Sequence, residues 1–495
     1  MTDRTKYRVL EAIPGLLLWG ALVSAVIFSF LRPIYVIYFV ILFDFFWLLR
    51  VSYFIFYIIH AWRLYKRATA RDWFRDLDRL HPEWRDYYHV IFLPTYREEL
   101  AVIQATFDRL TPLAYDPKRF IVVLAGEERD HEHFKENVQA LKEKYGGRFH
   151  SFIITEHPKD LPDELPGKGS NLHWAGHCVQ EQIDAMDLPY DKIIVSTFDV
   201  DTIVNEQYFA CLTTTYLEQP QPERSSYQPA VLYHNNLWES PAIVRIAAFG
   251  TTFWLMTELA RPERLLTFSS HSMSWQTLVD VGFWEKQIVS EDSRIFLQCL
   301  IRYDGEYRVT PMYVPVSMDM AAGRSYLSSL GALYKQQRRW AWGAENIPYM
   351  IWNFSKNKKM PLIKKIYYVW NVTEGMFQWA AAPFLIFILG RLPMLVAGPA
   401  LQGETLFQNA PLLLETLMEL SMAGILVSAI LSLFLLPRRP SHIHASMYAV
   451  MLLQWIMLPV TLIIFGSIPA IDAQTRLMLG KYLGFNVTQK VRKAL

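Results

Sequence analysis

The chain is poor in charge. Asp, Glu, Lys and Arg make up only 19% of its 495 residues, and the net charge is +2. So small a balance excludes a polyanionic partner gathered by bulk electrostatics, and nucleic acid is not expected. Cysteine is scarce too. The three present, Cys178, Cys211 and Cys299, stand at unrelated spacings. No zinc pattern and no disulfide framework follows, and buried reduced thiols are the expectation. No internal repeat or low-complexity segment occurs.

Apolar residues are abundant, at 52% with aromatics at 15%. They are concentrated toward the two ends. Ile13 to Phe30 is almost wholly apolar and long enough to cross a bilayer. Pro33 separates it from Ile34 to His60, an aromatic-rich run that carries Asp44 and Arg50, either paired with each other or facing a channel. Three further stretches follow Pro361: Val369 to Leu389, Leu412 to Leu436 and Ala445 to Phe465. Basic residues flank these runs (Arg63, Lys66, Arg67; Lys356, Lys358, Lys359, Lys364, Lys365), which places the intervening region in the cytosol. Two crossings before that region and three after it put the tail outside, yet the tail is basic (Lys481, Lys490, Arg492, Lys493). Either one segment fails to cross, or a short extra crossing lies near Leu392 to Ala397.

Between the apolar ends, from Tyr87 to about Tyr313, short apolar strands alternate with amphipathic helical stretches, an α/β pattern. His89 to Leu93 reads as a strand stopped by Pro94, and Phe120 to Leu124 as one ended by Gly126. A helix over Asp130 to Tyr145, with Asp130 as its cap, precedes a strand over Phe152 to Thr155. Lys192 to Phe198 is the fourth strand and delivers Asp199 at its end. Open α/β sheets bind ligands at the carboxyl ends of their strands. Thr95, Glu127 and Asp199, each just past a strand, are therefore expected in one cleft.

Several residues there can do chemistry. Asp199 and Asp201, two carboxylates at i and i+2 after a strand, can hold Mg²⁺ or Mn²⁺ with diphosphate oxygens completing the shell. Lys168, in Gly167-Lys168-Gly169-Ser170-Asn171, stands at a glycine-flanked helix start. It is either a phosphate ligand or a plain loop lysine. Asp292 is a candidate base at the end of the loop before a helix Ser293 to Arg302, or else a first-turn acid of that helix. Arg339 can stabilise a departing diphosphate and Trp340 can stack under a sugar ring. The alternative is a basic interfacial helix over Lys335 to Trp342.

Taken together and in order, these motifs resemble the family 2 membrane glycosyltransferases, the group of cellulose, chitin and hyaluronan synthases. The resemblance covers roughly residues 85 to 345. Its marks are Pro94-Thr95-Tyr96, the Lys168 loop, Asp199-x-Asp201, Ser290-Glu291-Asp292 in place of Thr-Glu-Asp, and Gln336-x-x-Arg339-Trp340. A further match, Phe485-Asn486-Val487-Thr488-Gln489-Lys490, looks like a donor-covering gating loop and requires a cytosolic tail. The sequence departs from the family pattern at Glu127-Glu128, where an aspartate pair is usual, and at Ser269 to Trp275, where small residues and Cys-Gly are usual.

The resemblance implies a GT-A domain, a mixed Rossmann-like α/β sheet, joined to transmembrane helices. Residues 1–65 would form two N-terminal crossings, 66–345 the cytosolic catalytic domain, 346–480 interfacial helices with three or four crossings, and 481–495 a cytosolic tail. It implies an inverting transfer of a hexose from a nucleoside-diphosphate sugar, UDP-linked first of all, with Asp292 as base. Thr95, Tyr96, Glu127, Lys168, Asp199, Gln336, Arg339, Trp340, Thr488 and Lys490 would bind the donor. Asp199 and Asp201 would hold Mg²⁺ or Mn²⁺. The acceptor would be a growing polysaccharide, processively extended and secreted, or alternatively a membrane lipid carrier that receives one sugar. Membrane lipids would be partners, in the plasma (bacterial inner) membrane.

Overall fold

A strand buried on both faces needs a continuous apolar run rather than alternation. The four such runs of the central region all form strands in the computed structural model, which describes residues 2–484. The strands are β1 (Tyr88–Pro94), β2 (Phe120–Glu127), β3 (Ser151–His157), β4 (Ile193–Thr197), β5 (Ile203–Val204), β6 (Ser225–Tyr233), β7 (Ser272–Ser274) and β8 (Arg308–Met318). They make one sheet in the order β3-β2-β1-β4-β7-β6-β8-β5. β3, β2, β1 and β4 run parallel. β7 is antiparallel to both β4 and β6, so the sheet is mixed. Gly126 does not end its strand: β2 continues to Glu127, and the Phe134 ring packs over Gly126 where a Cβ would come within 2.5 Å of it.

Side chains of β1 and β2 alternate between two cores. Ile91, Leu93, Val122 and Leu124 join Phe107, Phe198 and Phe209 on one face. Val90, Phe92, Ile121 and Val123 join Trp275, Trp284 and Phe296 on the other. This period of two gives the sheet a core on each face and so a three-layer domain. The helix after β2 is His131–Tyr145, with Asp130 at its N-cap position, although the Asp130 side chain makes no capping bond to it. Its carboxylate instead accepts from the Arg97 amide (2.8 Å) and Nδ1 of His133 (3.0 Å).

Five helices among the described residues are long and apolar enough to cross a membrane: Asp3–Leu31, Pro33–Ala70, Ala242–Leu259, Thr405–Phe434 and Met447–Leu479. A bent pair, Leu362–Phe387 with Leu389–Val396, meets at 44° and makes a further candidate span. The stretch expected to hide an extra crossing, Leu392 to Ala397, is a five-residue helix that only extends this bent pair. At 1.5 Å per residue it is far too short to cross. Helix Ala242–Leu259 belongs elsewhere: 72% of its apolar window is buried inside the protein, against 22–28% for the others. It packs Val244, Ala248, Phe249 and Phe253 against Ile58, Met451 and Trp455, joining the sheet domain to the apolar helices.

Asp44 and Arg50 do not pair. Arg50 forms an ion pair with Glu374 and lies over the rings of Phe46 and Trp47, 5.6 Å from each centroid, while Asp44 is buried. The last long segment touches the sheet domain near both of its ends. Arg245 Nε donates to Gln454 Oε1 (2.8 Å), and Arg338 Nη1 donates to Asp472 Oδ2 (2.8 Å). Its final turn is held by the start of the first helix, where Arg8 Nη1 donates to the Leu477 carbonyl (2.9 Å) and Nη2 to that of Met478. The two ends of the described chain therefore lie together.

Candidate active site

Thr95, Glu127 and Asp199 stand at the carboxyl ends of β1, β2 and β4, which are neighbours in the sheet. The corner nearest β2 is built by charge. Glu127, 4% exposed, is paired with Arg129, whose guanidinium also lies over the Tyr96 ring at 4.5 Å. Thr95 Oγ1 and the Tyr96 amide both donate to Glu98 Oε2, at 2.8 and 2.5 Å. Both bonds hold the turn that follows β1.

The centre of the edge is a lysine among three carboxylates. Lys168 begins the helix Lys168–Ala185, and its Nζ lies 2.9 Å from Asp199, 3.0 Å from Glu291 and 2.9 Å from Asp292. The glycine beside it is required by proximity. A Cβ on Gly169 would stand 2.9 Å from the Glu285 carbonyl oxygen and 3.5 Å from Cβ of Glu291. Asp292 is not in a loop: the helix starts two residues earlier than expected, as Glu291–Arg302, so both acids occupy its first turn. Negative side chains are stabilised there by the exposed amides of the helix start. Burial, then the Asp292 charge, pushes the Glu291 carboxyl up to about 7 against the pull of Lys168. The Lys168 ammonium is held well above its ordinary range by Asp199, Asp292 and Glu291, which together outweigh the larger single effect of burial. One cation is shared by three acids, and Glu291 is the most buried of them.

Asp201 is fully buried and accepts from the Asp319 amide at 2.9 Å. The helix Tyr326–Ala341 supplies Gln336, Arg339 and Trp340. Trp340 lies 5.9 Å from the ring of Tyr233, the last residue of β6. Burial raises the Tyr233 hydroxyl's pKa, as do Asp199, Asp201 and Asp292, while Arg339 opposes them. A small cavity continues from Tyr233, Gln336 and Trp340 toward Val244 and Ala248 of the buried apolar helix.

Three neighbours had no place among the residues expected from sequence. Glu291 stood inside the Ser-Glu-Asp motif, Tyr233 at the end of an apolar run. His271 is buried, with Nδ1 2.9 Å from the Phe268 carbonyl and Nε2 without a hydrogen-bond partner among the described residues. Burial lowers its pKa, with Asp292 opposing, so the ring is neutral beside the acids. Thr488 and Lys490 lie outside the described residues.

Among the described residues no group of three or more His, Cys, Asp or Glu side chains is placed to hold a metal. Asp199 and Asp201 still offer hard carboxylate oxygens of the kind Mg²⁺ and Mn²⁺ take. Two carboxylates can supply part of the shell of such a cation.

Residues 194–468, more than half of the chain, match the model of glycosyl transferase family group 2, and the chain belongs to that family. Its mixed, Rossmann-like sheet is a GT-A domain, here carried with several helices long and apolar enough to span a membrane. Among solved structures it is similar to the mannosyltransferase PcManGT from Pyrobaculum calidifontis, in complex with GDP-Man and Mn²⁺. The identity is 14% over 77% of this chain and 99% of that one, with a TM-score of 0.42. It is also similar to GalNAc-T7 with UDP, GalNAc and Mn²⁺, at 8% identity over 61% and 58% and a TM-score of 0.31. A third is S. aureus TarS 1-349, at 11% over 68% and 90% and a TM-score of 0.29. No curated protein matches the chain.

Proposed function

We propose that this glycosyltransferase moves a hexose from a nucleoside-diphosphate sugar to an acceptor at a membrane surface. The observation that carries the reading is the meeting of Lys168, Asp199 and Asp292 at the carboxyl edge of the sheet, with contacts of 2.9 Å. Residues 66–345 act as the catalytic domain on the cytosolic side of the plasma (bacterial inner) membrane. Residues 1–65 and 346–480 act as its anchor.

In this reading the acceptor oxygen attacks the anomeric carbon, the diphosphate leaves from the opposite face, and Asp292 takes the acceptor's proton. The result is an inverted sugar. Lys168 and Arg339 meet the charge of the leaving diphosphate. Thr95 and Tyr96, with Glu127 and its partner Arg129, form a corner suited to a planar base. Gln336 and Trp340 face the sugar, and Thr488 and Lys490 cover the donor. A divalent cation, Mg²⁺ or Mn²⁺, when held by Asp199 and Asp201, supplies charge neutralisation to the diphosphate.

The acceptor is a growing polysaccharide, extended processively and passed across the membrane. A second reading, transfer of one sugar to a lipid carrier, is favoured by the apolar wall of Val244 and Ala248 beyond Trp340. The membrane-embedded protein, incubated with UDP- and GDP-linked sugars in turn, is expected to release nucleoside diphosphate from one of them. Product length then separates the two acceptors. Release from no donor would end the proposal.

A further inference from the structure

The base-bearing helix Glu291–Arg302 and the helix Tyr326–Ala341 come from separate parts of the chain, yet must be held in register for the site to form. One carboxylate spans them. Glu345 closes the 3-10 turn Trp342–Glu345 that follows Trp340. Its Oε1 accepts from Ser290 Oγ at 2.9 Å, and its Oε2 accepts from Trp342 Nε1 at 2.9 Å. Ser290 is the residue immediately before Glu291 and Asp292. We propose that Glu345 is a positioning residue that locks the turn carrying Asp292 to the helix carrying Gln336, Arg339 and Trp340. The inference rests on the transferase reading only for its effect on rate.

Neighbouring bonds reinforce the junction. Asn346 Nδ2 donates to Ser293 Oγ (2.9 Å), and Asn346 Oδ1 accepts from Arg294 Nε (2.8 Å). Arg294 Nη1 donates to Glu285 Oε2 (2.6 Å), and its guanidinium lies 3.7 Å from the Tyr349 ring centroid. Both oxygens of Glu345 thus face donors, and Arg294 is the cation beside it. An indole N–H can only donate, whereas a serine hydroxyl can turn to accept. A glutamine at 345 therefore satisfies both partners, with its oxygen on Trp342 and its amide on Ser290. A leucine satisfies neither and strands two polar groups.

The full-length protein in detergent micelles is compared with Glu345→Leu and Glu345→Gln by amide hydrogen exchange and by nucleoside-diphosphate release. Glu345→Leu is expected to speed exchange at residues 291–295 and 341–346 and to leave β1 unchanged. It should lower kcat about 10-fold, since small misplacements of reacting groups are costly, with donor KM within about 3-fold. Glu345→Gln should restore most of both. If Glu345→Leu gives no folded protein, Ser290→Ala with Trp342→Phe removes the same two bonds and should reproduce the pattern. Wild-type exchange in these variants overturns the inference, as does an equal loss in Glu345→Gln and Glu345→Leu. Should wild-type protein release diphosphate from no donor, the transferase reading fails by itself, and the exchange comparison still decides the junction.

Discussion

Lys168 and Asp292, 124 residues apart in the chain, meet through an ammonium 2.9 Å from one carboxylate oxygen and 3.2 Å from the other. Asp199 and Glu291 share the same ammonium. The helix that starts at Lys168 and the helix that starts at Glu291 thus point their first turns at each other, and the strand end of β4 completes the set.

Removal of this cation is the first prediction. Lys168→Met takes from Asp199, Glu291 and Asp292 the ammonium they share. Breaking a buried pair from one side typically costs ~3–5 kcal/mol. The sign with pH follows from the acids: without Lys168 they hold protons more tightly in the folded state than in the unfolded one, so stability falls as pH rises. Thermal unfolding of Lys168→Met should show a larger deficit against wild type at pH 8 than at pH 5. An equal deficit at both would show that the charge of Lys168 is not what the acids need.

Glu291 carries a related expectation. Its folded carboxyl is pushed up to about 7 from the ordinary value of 4.5, by burial first and Asp292 second. Between those values the folded state binds more proton than the unfolded one, so the contribution is full below pH 4.5 and lost as pH rises through 7. Glu345 shifts in the same direction. Glu291→Gln should therefore flatten, without abolishing, the decline in stability between those two pH values. Thermal unfolding across that range measures it.

Asp292→Asn keeps the shape of the side chain and removes its basicity. Loss of a positioned base lowers rate by ~10²–10⁴-fold. Turnover of bound donor should fall by that order while donor affinity changes little. Collapse of donor affinity with unchanged turnover would make Asp292 structural.

Much of this arrangement was legible in the sequence, because strands buried on both faces must be continuous apolar runs. Asp199 follows such a run, and this alone puts it at the carboxyl edge of the sheet. The cluster around Lys168 was not legible. A lysine between glycines suits a phosphate as well as it suits three acids, and only the approach of the two helix starts, seen in the tight packing at Gly169, selects the partners. Helix Ala242–Leu259 passed unnoticed for a different reason. Its apolar surface is spread around the helix, since it packs on the sheet on one side and on apolar helices on the other. Glu345 had no signal, because its two donors, Ser290 and Trp342, lie 55 residues and three residues away.

The metal proposal is best tested by a change that spares the backbone contact. Asp201 accepts from the Asp319 amide, so alanine would break a buried hydrogen bond as well as remove a charge. Asp201→Asn keeps an acceptor for that amide. It should retain the wild-type unfolding temperature within a few degrees and lose transfer, and excess chelator should silence the wild type in the same way. Full activity in chelator would remove the metal from the reading.

The last prediction concerns the segment Met447–Leu479. Its 33 residues are long enough to cross a bilayer by length and composition. A straight crossing would carry its end ~50 Å from its start, at 1.5 Å per residue. Yet Gln454 near the start and Asp472 near the end both bond to the sheet domain, through Arg245 and Arg338. Arg8, at the start of the first helix, then holds the carbonyls of Leu477 and Met478. Tyr482 donates to Glu11 at 2.7 Å, and Leu483 is buried in the cluster that holds Val289 and Trp342. A segment tied at two points to helices of one domain is expected to run along that domain, and on this expectation the odd crossing of the sequence count falls away. Lys481→Cys, placed in a Cys178→Ser background, should therefore react with an impermeant thiol reagent from the same side as Arg79→Cys. Arg32→Cys, at the far end of the first helix, should react only from the other side. Labelling of Lys481→Cys together with Arg32→Cys would mean that Met447–Leu479 crosses in full, and would separate the tail from the site it is proposed to cover.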